Sequence, residues 1–228
     1  MKKALVTLFF VVIVLAATMG FRAFTVFEDH QPEPAAGYAQ VRIDEEASVQ
    51  RFAEALTFPT VSFDDRNRFD AETFRDFHDF LERAYPRISE RATRTVVADY
   101  SLVYHLEGSD AALEPVLFMS HFDVVPVEEI TLGEWTHAPF GGVVQDGIVW
   151  GRGSVDDKIG VIALMESLES LLAEGFRPRR SLYFAFGHDE EVGGLEGAAS
   201  VAKYFEGQGI RFDFVLDEGG AVTQGMLE

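Results

Sequence analysis

The sequence predicts an α/β protein: a mostly parallel sheet flanked by helices, incomplete at its C-terminal end. Three observations carry this. Residues 116–119, 182–186 and 214–216 are short uninterrupted apolar runs, the habit of strands buried on both faces, with 148–150 a weaker case. Stretches with helical periodicity alternate with these runs. Each run is followed by histidine or acidic residues, namely His121 and Asp123, Asp156 and Asp157, Glu190 and Glu191, Asp217 and Glu218. In open α/β sheets, ligands gather beyond the carboxyl ends of the strands, where these residues fall.

Taken in order, residues 1–26 read as a signal anchor or signal peptide. Lys2 and Lys3 precede an uncharged run, 4–21, which as a helix at ~1.5 Å per residue reaches about 27 Å, near a bilayer core. A small-residue cleavage site is poorly formed, which favours an uncleaved anchor with the remainder outside the cytoplasm. Cleavage instead makes the product secreted or periplasmic. Residues 27–40 are polar and proline-bearing, a tether. Residues 41–228 form a partial catalytic domain. Within it, 47–56 and 70–85 read as helices, the second with Phe74, Phe77, Leu81 and Tyr85 on one face and Pro86 as its stop. Residues 94–106 read as strand. Val161, Leu164, Met165, Leu168, Leu171 and Leu172 make a helical face ended by Gly175. Strand 181–186, helix 195–205 and strand 212–216 complete the alternation.

Composition narrows the chemistry. The 228 residues are 47% hydrophobic and 25% charged, enough for one good core. Setting aside Lys2, Lys3 and Arg22 leaves 16 basic residues against 38 acidic ones, a balance of −22 after the first segment. Such a surface repels phosphate backbones, so nucleic acid is not an expected partner. With no cysteine in the chain, metal ligation falls to His, Asp and Glu. Imidazole with carboxylates suits zinc, and also cobalt or manganese. Asp123 lies two residues beyond His121, placed to accept the second imidazole N–H and fix the tautomer. The neighbours Glu190 and Glu191 permit one carboxylate to bind metal while the other moves protons. Asp156 and Asp217 complete a shared site, Asp156 having two oxygens with which to bridge two ions. His30, His78, His105 and His137 lack acidic partners at useful spacing. His188 lines the cleft at most.

Three motifs stand in sequence: Ser-His-Phe-Asp-Val-Val-Pro at 120–126, Trp-Gly-Arg-Gly-Ser-Val-Asp-Asp-Lys at 150–158, and Asp-Glu-Glu-Val-Gly-Gly at 189–194. In letters, order and spacing they resemble the signatures of the M20 family of zinc peptidases and amidohydrolases, from about residue 47 onward. The N-terminal segment, Glu134-Trp135 and 139–142 look similar to the carboxypeptidase S and N-acyl-amino-acid hydrolase branch. The resemblance implies two zinc ions bridged by Asp156 and a water. His121 and Asp217 bind one, Glu191 the other, with Asp123 orienting His121 and Glu190 as general base. It implies hydrolysis of an amide bond next to a free carboxylate, in a small peptide or N-acyl amino acid.

One departure sets a further expectation. The family carries another histidine ligand near its C-terminus, beyond an inserted lid and dimerisation domain, whereas no histidine follows His188 here. The chain is therefore expected to be a fragment with impaired activity, able to form a homodimer only with the missing domain. The alternatives are a non-catalytic, membrane-anchored metal- or peptide-binding remnant and, less well matched, a magnesium-dependent phosphohydrolase.

Overall fold

The computed structural model describes residues 2–26 and 41–219. The expected tether at 27–40 lies outside them. Two compact units result, residues 1–40 and 41–228. The first contains a 25-residue helix, α1 (Lys2–Val26). Its described side chains from Val6 to Leu15 are exposed and apolar apart from Thr7. Those described continuously, 6–22, cover about 26 Å of helix. Among the described residues, no helix is long and apolar enough to cross a membrane.

In the second unit, α2 (Glu45–Ala55) starts at Asp44, whose carboxylate accepts from the Ala47 amide. Asp70 caps α3 (Ala71–Ala84) in the same way. Pro86 does more than stop this helix: it opens α4 (Pro86–Arg91), since a missing N–H costs nothing in a first turn. The stretch read as one strand is a hairpin, β1 (Thr93–Val97) and β2 (Ser101–Leu106), turning through Ala98 and Asp99 at positive φ. Then follow β3 (Val116–His121), the small hairpin β4 (Val143–Gln145) and β5 (Ile148–Trp150), α5 (Lys158–Ala173), β6 (Leu182–Gly187), α6 (Ala198–Gly207) and β7 (Phe214–Leu216).

The main sheet has the order β1-β2-β6-β3-β7. Its centre and one edge are parallel, β6 with β3 and β3 with β7, while β1 pairs antiparallel with β2 and β2 antiparallel with β6. Alternation along the strands divides the core. Leu102, Tyr104, Phe184 and Phe186 face α2 to α5, meeting Phe74, Phe77, Leu81 and Met165. Val103, Leu117, Tyr183 and Ala185 face α6, meeting Val201 and Phe205. Helices thus cover both faces, as the apolar runs require.

Two strands differ from expectation. β5 pairs only with β4, outside the main sheet, and the Asp146-Gly147 turn, with φ of 54° and 77°, makes that pair a local hairpin. β7 is a sheet edge, and Phe214, Val215 and Leu216 are half exposed where burial on both faces is expected.

Candidate metal centre

β3 and β6 run parallel in register, so their ends deliver His121 beside Gly187, and the chain beyond β6 turns through Glu190 and Glu191 over His121. His121 is buried, and its Nδ1 lies 3.1 Å from the Asp123 carbonyl and 3.3 Å from the Asp123 carboxylate. Both neighbours only accept, so Nδ1 carries a proton, and Nε2 is the nitrogen whose lone pair would be offered to a cation. Nε2 faces outward, 3.0 Å from Asp156 Oδ1 and 3.6 Å from Glu190 Oε2. Donor atoms of His121, Asp156 and Glu191 all lie within 4.8 Å of one another, a spacing that suits one ion. This nitrogen and oxygen set fits zinc, cobalt or manganese.

Asp123 is fully buried, and its carboxylate gathers the site. Oδ1 accepts from the Glu190 amide and Oδ2 from the Glu191 amide, each at 3.1 Å. The Ser62 hydroxyl donates to Oδ2 at 2.5 Å. One side chain therefore aligns the histidine and the backbone of both glutamates. Ser62 arrives through a short pairing of 60–62 with 122–124: the Val124 amide donates to Thr60 O, the Ser62 amide to Val124 O, and the Thr60 hydroxyl to Phe122 O. Lys158, wholly buried, holds the preceding turn by donating to the carbonyls of Ala55 and Phe58. Burial pulls its pKa down to about 7.

Asp156 reaches the site differently from expectation, on a turn leading into α5 and not at the end of a main-sheet strand. Gly153, at φ of 85°, lies in that turn, and a Cβ there would come within 2.8 Å of Val124. The next residue, Asp157, is the cap of α5, bonded to the Gly160 amide and, at 2.6 Å, to the Ser120 hydroxyl. Asp156 itself is exposed, with 67% of its side-chain surface open.

Charge accumulates around Nε2. Burial works against a positive His121, yet Asp123, Glu190 and Asp156 outweigh it and raise its pKa to about 10. The same crowding, after burial, pushes the Glu191 carboxyl up, chiefly through Asp156. A cluster that favours cationic charge on its own histidine is chemically suited to a cation. Asp217 lines the cleft with His121 and Glu190 but stands outside the three-residue group. Its neighbour Glu218 lines the same cleft, and burial, Asp157 and Asp156 raise its pKa.

The other histidines behave structurally. His78 Nε2 donates to the Tyr100 carbonyl, 2.7 Å away, His105 stacks on Tyr183, and His137 meets the edge of Trp150. His188 is buried, with Nδ1 2.7 Å from the Ser101 hydroxyl. His30 lies outside the described residues. Ser62 is the residue that sequence reasoning misses: a serine some 60 positions before Asp123 carries no local signal.

Comparison with known proteins agrees with this geometry. Residues 117–227 match the model of peptidase family M20/M25/M40. A probable carboxypeptidase S-like 2 of Dictyostelium discoideum is 48% identical over 75% of this chain and 33% of its own length. An N-fatty-acyl-amino acid synthase/hydrolase of Xenopus tropicalis, PM20D1, is 37% identical over 79% of this chain and 35% of its own length. The chain thus spans about a third of the curated relatives it matches. Among solved structures, human carnosine dipeptidase 1 superposes with a TM-score of 0.62 at 22% identity, covering 78% of this chain and 39% of that one. An M20 family metallo-carboxypeptidase of Sulfolobus solfataricus, Sso-CP2, gives 0.60 at 20% identity, over 77% and 38%. Motifs, matched residues and fold coincide, and segment 117–227 of this chain belongs to peptidase family M20/M25/M40.

Proposed function

We propose that this chain forms the metal-holding part of a hydrolase that cleaves an amide or peptide bond next to a free carboxylate, of the carboxypeptidase or N-acyl-amino-acid amidohydrolase type. The observation that carries the reading is the convergence of His121, Asp156 and Glu191 within 4.8 Å, with His121 turned outward by the buried Asp123. The names of the relatives support the substrate class. Zinc is the preferred ion, with two ions in the complete site and cobalt or manganese as substitutes. When bound, zinc polarises a carbonyl and lowers the pKa of water toward about 7.

In this reading His121, Asp156 and Glu191, with Asp217 beside them in the cleft, would hold the metal. Asp123 keeps the His121 proton on Nδ1. Glu190, half exposed beside Nε2, takes a proton from the attacking water at its carboxylate and returns it to the leaving amine. Residues 1–26 anchor or lead residues 41–228 out of the cytoplasm, a reading supported by the uncharged run 4–21 and the exposed apolar side chains of α1.

Zinc stoichiometry and affinity of the full chain test the proposal. Tight zinc binding is expected, lost on His121→Ala and retained on Glu190→Gln. A cooperatively folded chain without specific zinc binding would overturn it.

A further inference from the structure

Two residues beyond Asp156, Lys158 opens α5 and turns its side chain inward, where none of it is exposed. The position is a costly one for an ammonium. Burial strips its hydration, and the first turn of a helix carries partial positive charge of its own. Among the described residues, no carboxylate forms an ion pair with it. It has two carbonyls and a ring instead: Nζ donates to Ala55 O at 2.9 Å and to Phe58 O at 2.5 Å, and lies 4.9 Å from the centre of the Phe77 ring. A methionine of similar length would fill the space without the cost of desolvation. The charge therefore performs a task that packing alone does not.

The partners show which parts of the chain the ammonium joins. Ala55 ends α2, and Leu56 lies against the turn that carries Asp156, its Cβ 3.0 Å from where a Cβ on Gly151 would stand. Phe58 leads into Thr60 and Ser62, whose pairing with 122–124 supports Asp123. From the other direction the stem of Lys158 passes Gly153, its Cδ 3.3 Å from the Cβ position there. One side chain thus ties the turn 151–157 to the segment 55–62. Asp156 depends on such a tie. Its side chain is 67% exposed, and among the described residues its one hydrogen-bonding neighbour is His121 Nε2, so its place is set through the backbone that follows it. Asp157 fastens that backbone to β3 through the Ser120 hydroxyl, and Lys158 fastens it to 55–58.

We infer that Lys158 is a positioning residue for the metal centre: its buried ammonium, clamped on the Ala55 and Phe58 carbonyls, holds the turn that presents Asp156 to an ion beside His121. The inference rests on the metal-holding reading above and adds to it a group that touches neither ion nor substrate.

The full chain is titrated with zinc in competition with a chromophoric chelator. Lys158→Met is expected to bind zinc about 10- to 100-fold more weakly than wild type, the loss found when a partner behind a metal ligand is removed. At saturating cobalt its visible absorption bands should move from the wild-type positions, because the carboxylate reaches the ion differently. The absence of any cysteine allows a rescue. Lys158→Cys, alkylated in urea with 2-bromoethylamine and refolded, regains an ammonium at the length of lysine, whereas 1-iodopropane gives a chain of equal length without charge. Wild-type affinity and bands are expected from the first and the Lys158→Met behaviour from the second, with wild type carried through the same urea cycle as control. Unchanged affinity in Lys158→Met, weakened affinity with unmoved bands, or equal behaviour of the two alkylated chains overturns the inference. A chain that folds only with the ammonium in place overturns it as well, since the lysine would then hold the domain and not the carboxylate. Absence of zinc binding by wild type fails the hydrolase reading, whereas wild-type behaviour of Lys158→Met fails this inference alone.

Discussion

The β3–β6 rim and the β7 edge both carry residues toward the same cleft, yet they hold them by different means. At the rim, His121 and Asp123 are 2% and 0% exposed, and Asp123 has four hydrogen-bonding neighbours drawn from three parts of the chain. At the edge, Leu216 is 55% exposed, and the Asp217 carboxylate accepts from the adjacent Glu218 amide, at 2.9 Å. Packing on both faces positions a side chain to a fraction of an ångström, whereas backbone pairing along one side positions only the strand. The rim is preorganised, and the edge is merely placed.

The strongest test of this contrast is Asp123→Ala. It strips an acceptor from the His121 ring, the Ser62 hydroxyl and the amides of Glu190 and Glu191, leaving buried donors unpaired. Removing one partner of a buried charged network costs about 3–5 kcal/mol. Urea unfolding is expected to reveal a loss of that size together with loss of zinc binding. A change below about 1 kcal/mol would mean that the rim is not held by this carboxylate.

Acid should attack the rim through α3. Phe77 stacks on Phe122, between His121 and Asp123, and the His78 ring meets Phe122 edge-on. Burial lowers the His78 pKa from 6.5 to about 4. Between those values the unfolded chain binds the extra proton, so stability present above pH 6.5 is lost as pH falls toward 4. The shift corresponds to at most about 3 kcal/mol. His105 and His188 are lowered in the same sense, so His78→Gln is expected to flatten the acid limb in part, measured as the unfolding midpoint against pH. An unchanged limb would remove His78 from the account.

How legible this was in the sequence follows the same division. His121, Asp123, Glu190 and Glu191 were readable because a strand buried on both faces leaves an uninterrupted apolar run whose end marks the site. Asp156 was readable by motif, but its setting was not: 148–150 is apolar enough to suggest a sheet strand, and only the Asp-Gly turn tells of a local hairpin. The reversal at Ala98-Asp99 left no glycine or proline to betray it. An edge strand reads like a central one, because composition does not record what lies beside it. Long-range hydrogen bonds such as Ser62 to Asp123 leave no local pattern at all.

Ser62→Ala sharpens the comparison within the rim. The variant deletes one donor to Asp123 and keeps the amides of Glu190 and Glu191 in place, a loss of about 1–2 kcal/mol. Zinc affinity is expected to drop by about 10- to 100-fold, as when a partner behind a metal ligand is removed. Competition with a chromophoric chelator reads this directly, and Ser62→Thr, which restores the hydroxyl, should recover part of the affinity. Equal affinities in all three chains would reduce Ser62 to packing.

The smallest effect belongs to the edge. In Asp217→Ala the lost bond is an exposed one to the next residue, and no described partner crosses from another element. Exposed substitutions of this kind stay within about 0.5 kcal/mol. The unfolding midpoint should therefore not move, although Asp217 faces the cleft with His121 and Glu190. A loss above about 1.5 kcal/mol would place Asp217 in a network comparable to that of Asp123, and the distinction between a preorganised rim and a merely placed edge would fail. An unmoved midpoint would instead mean that whatever Asp217 contributes at the cleft comes with its ligand and not from the fold.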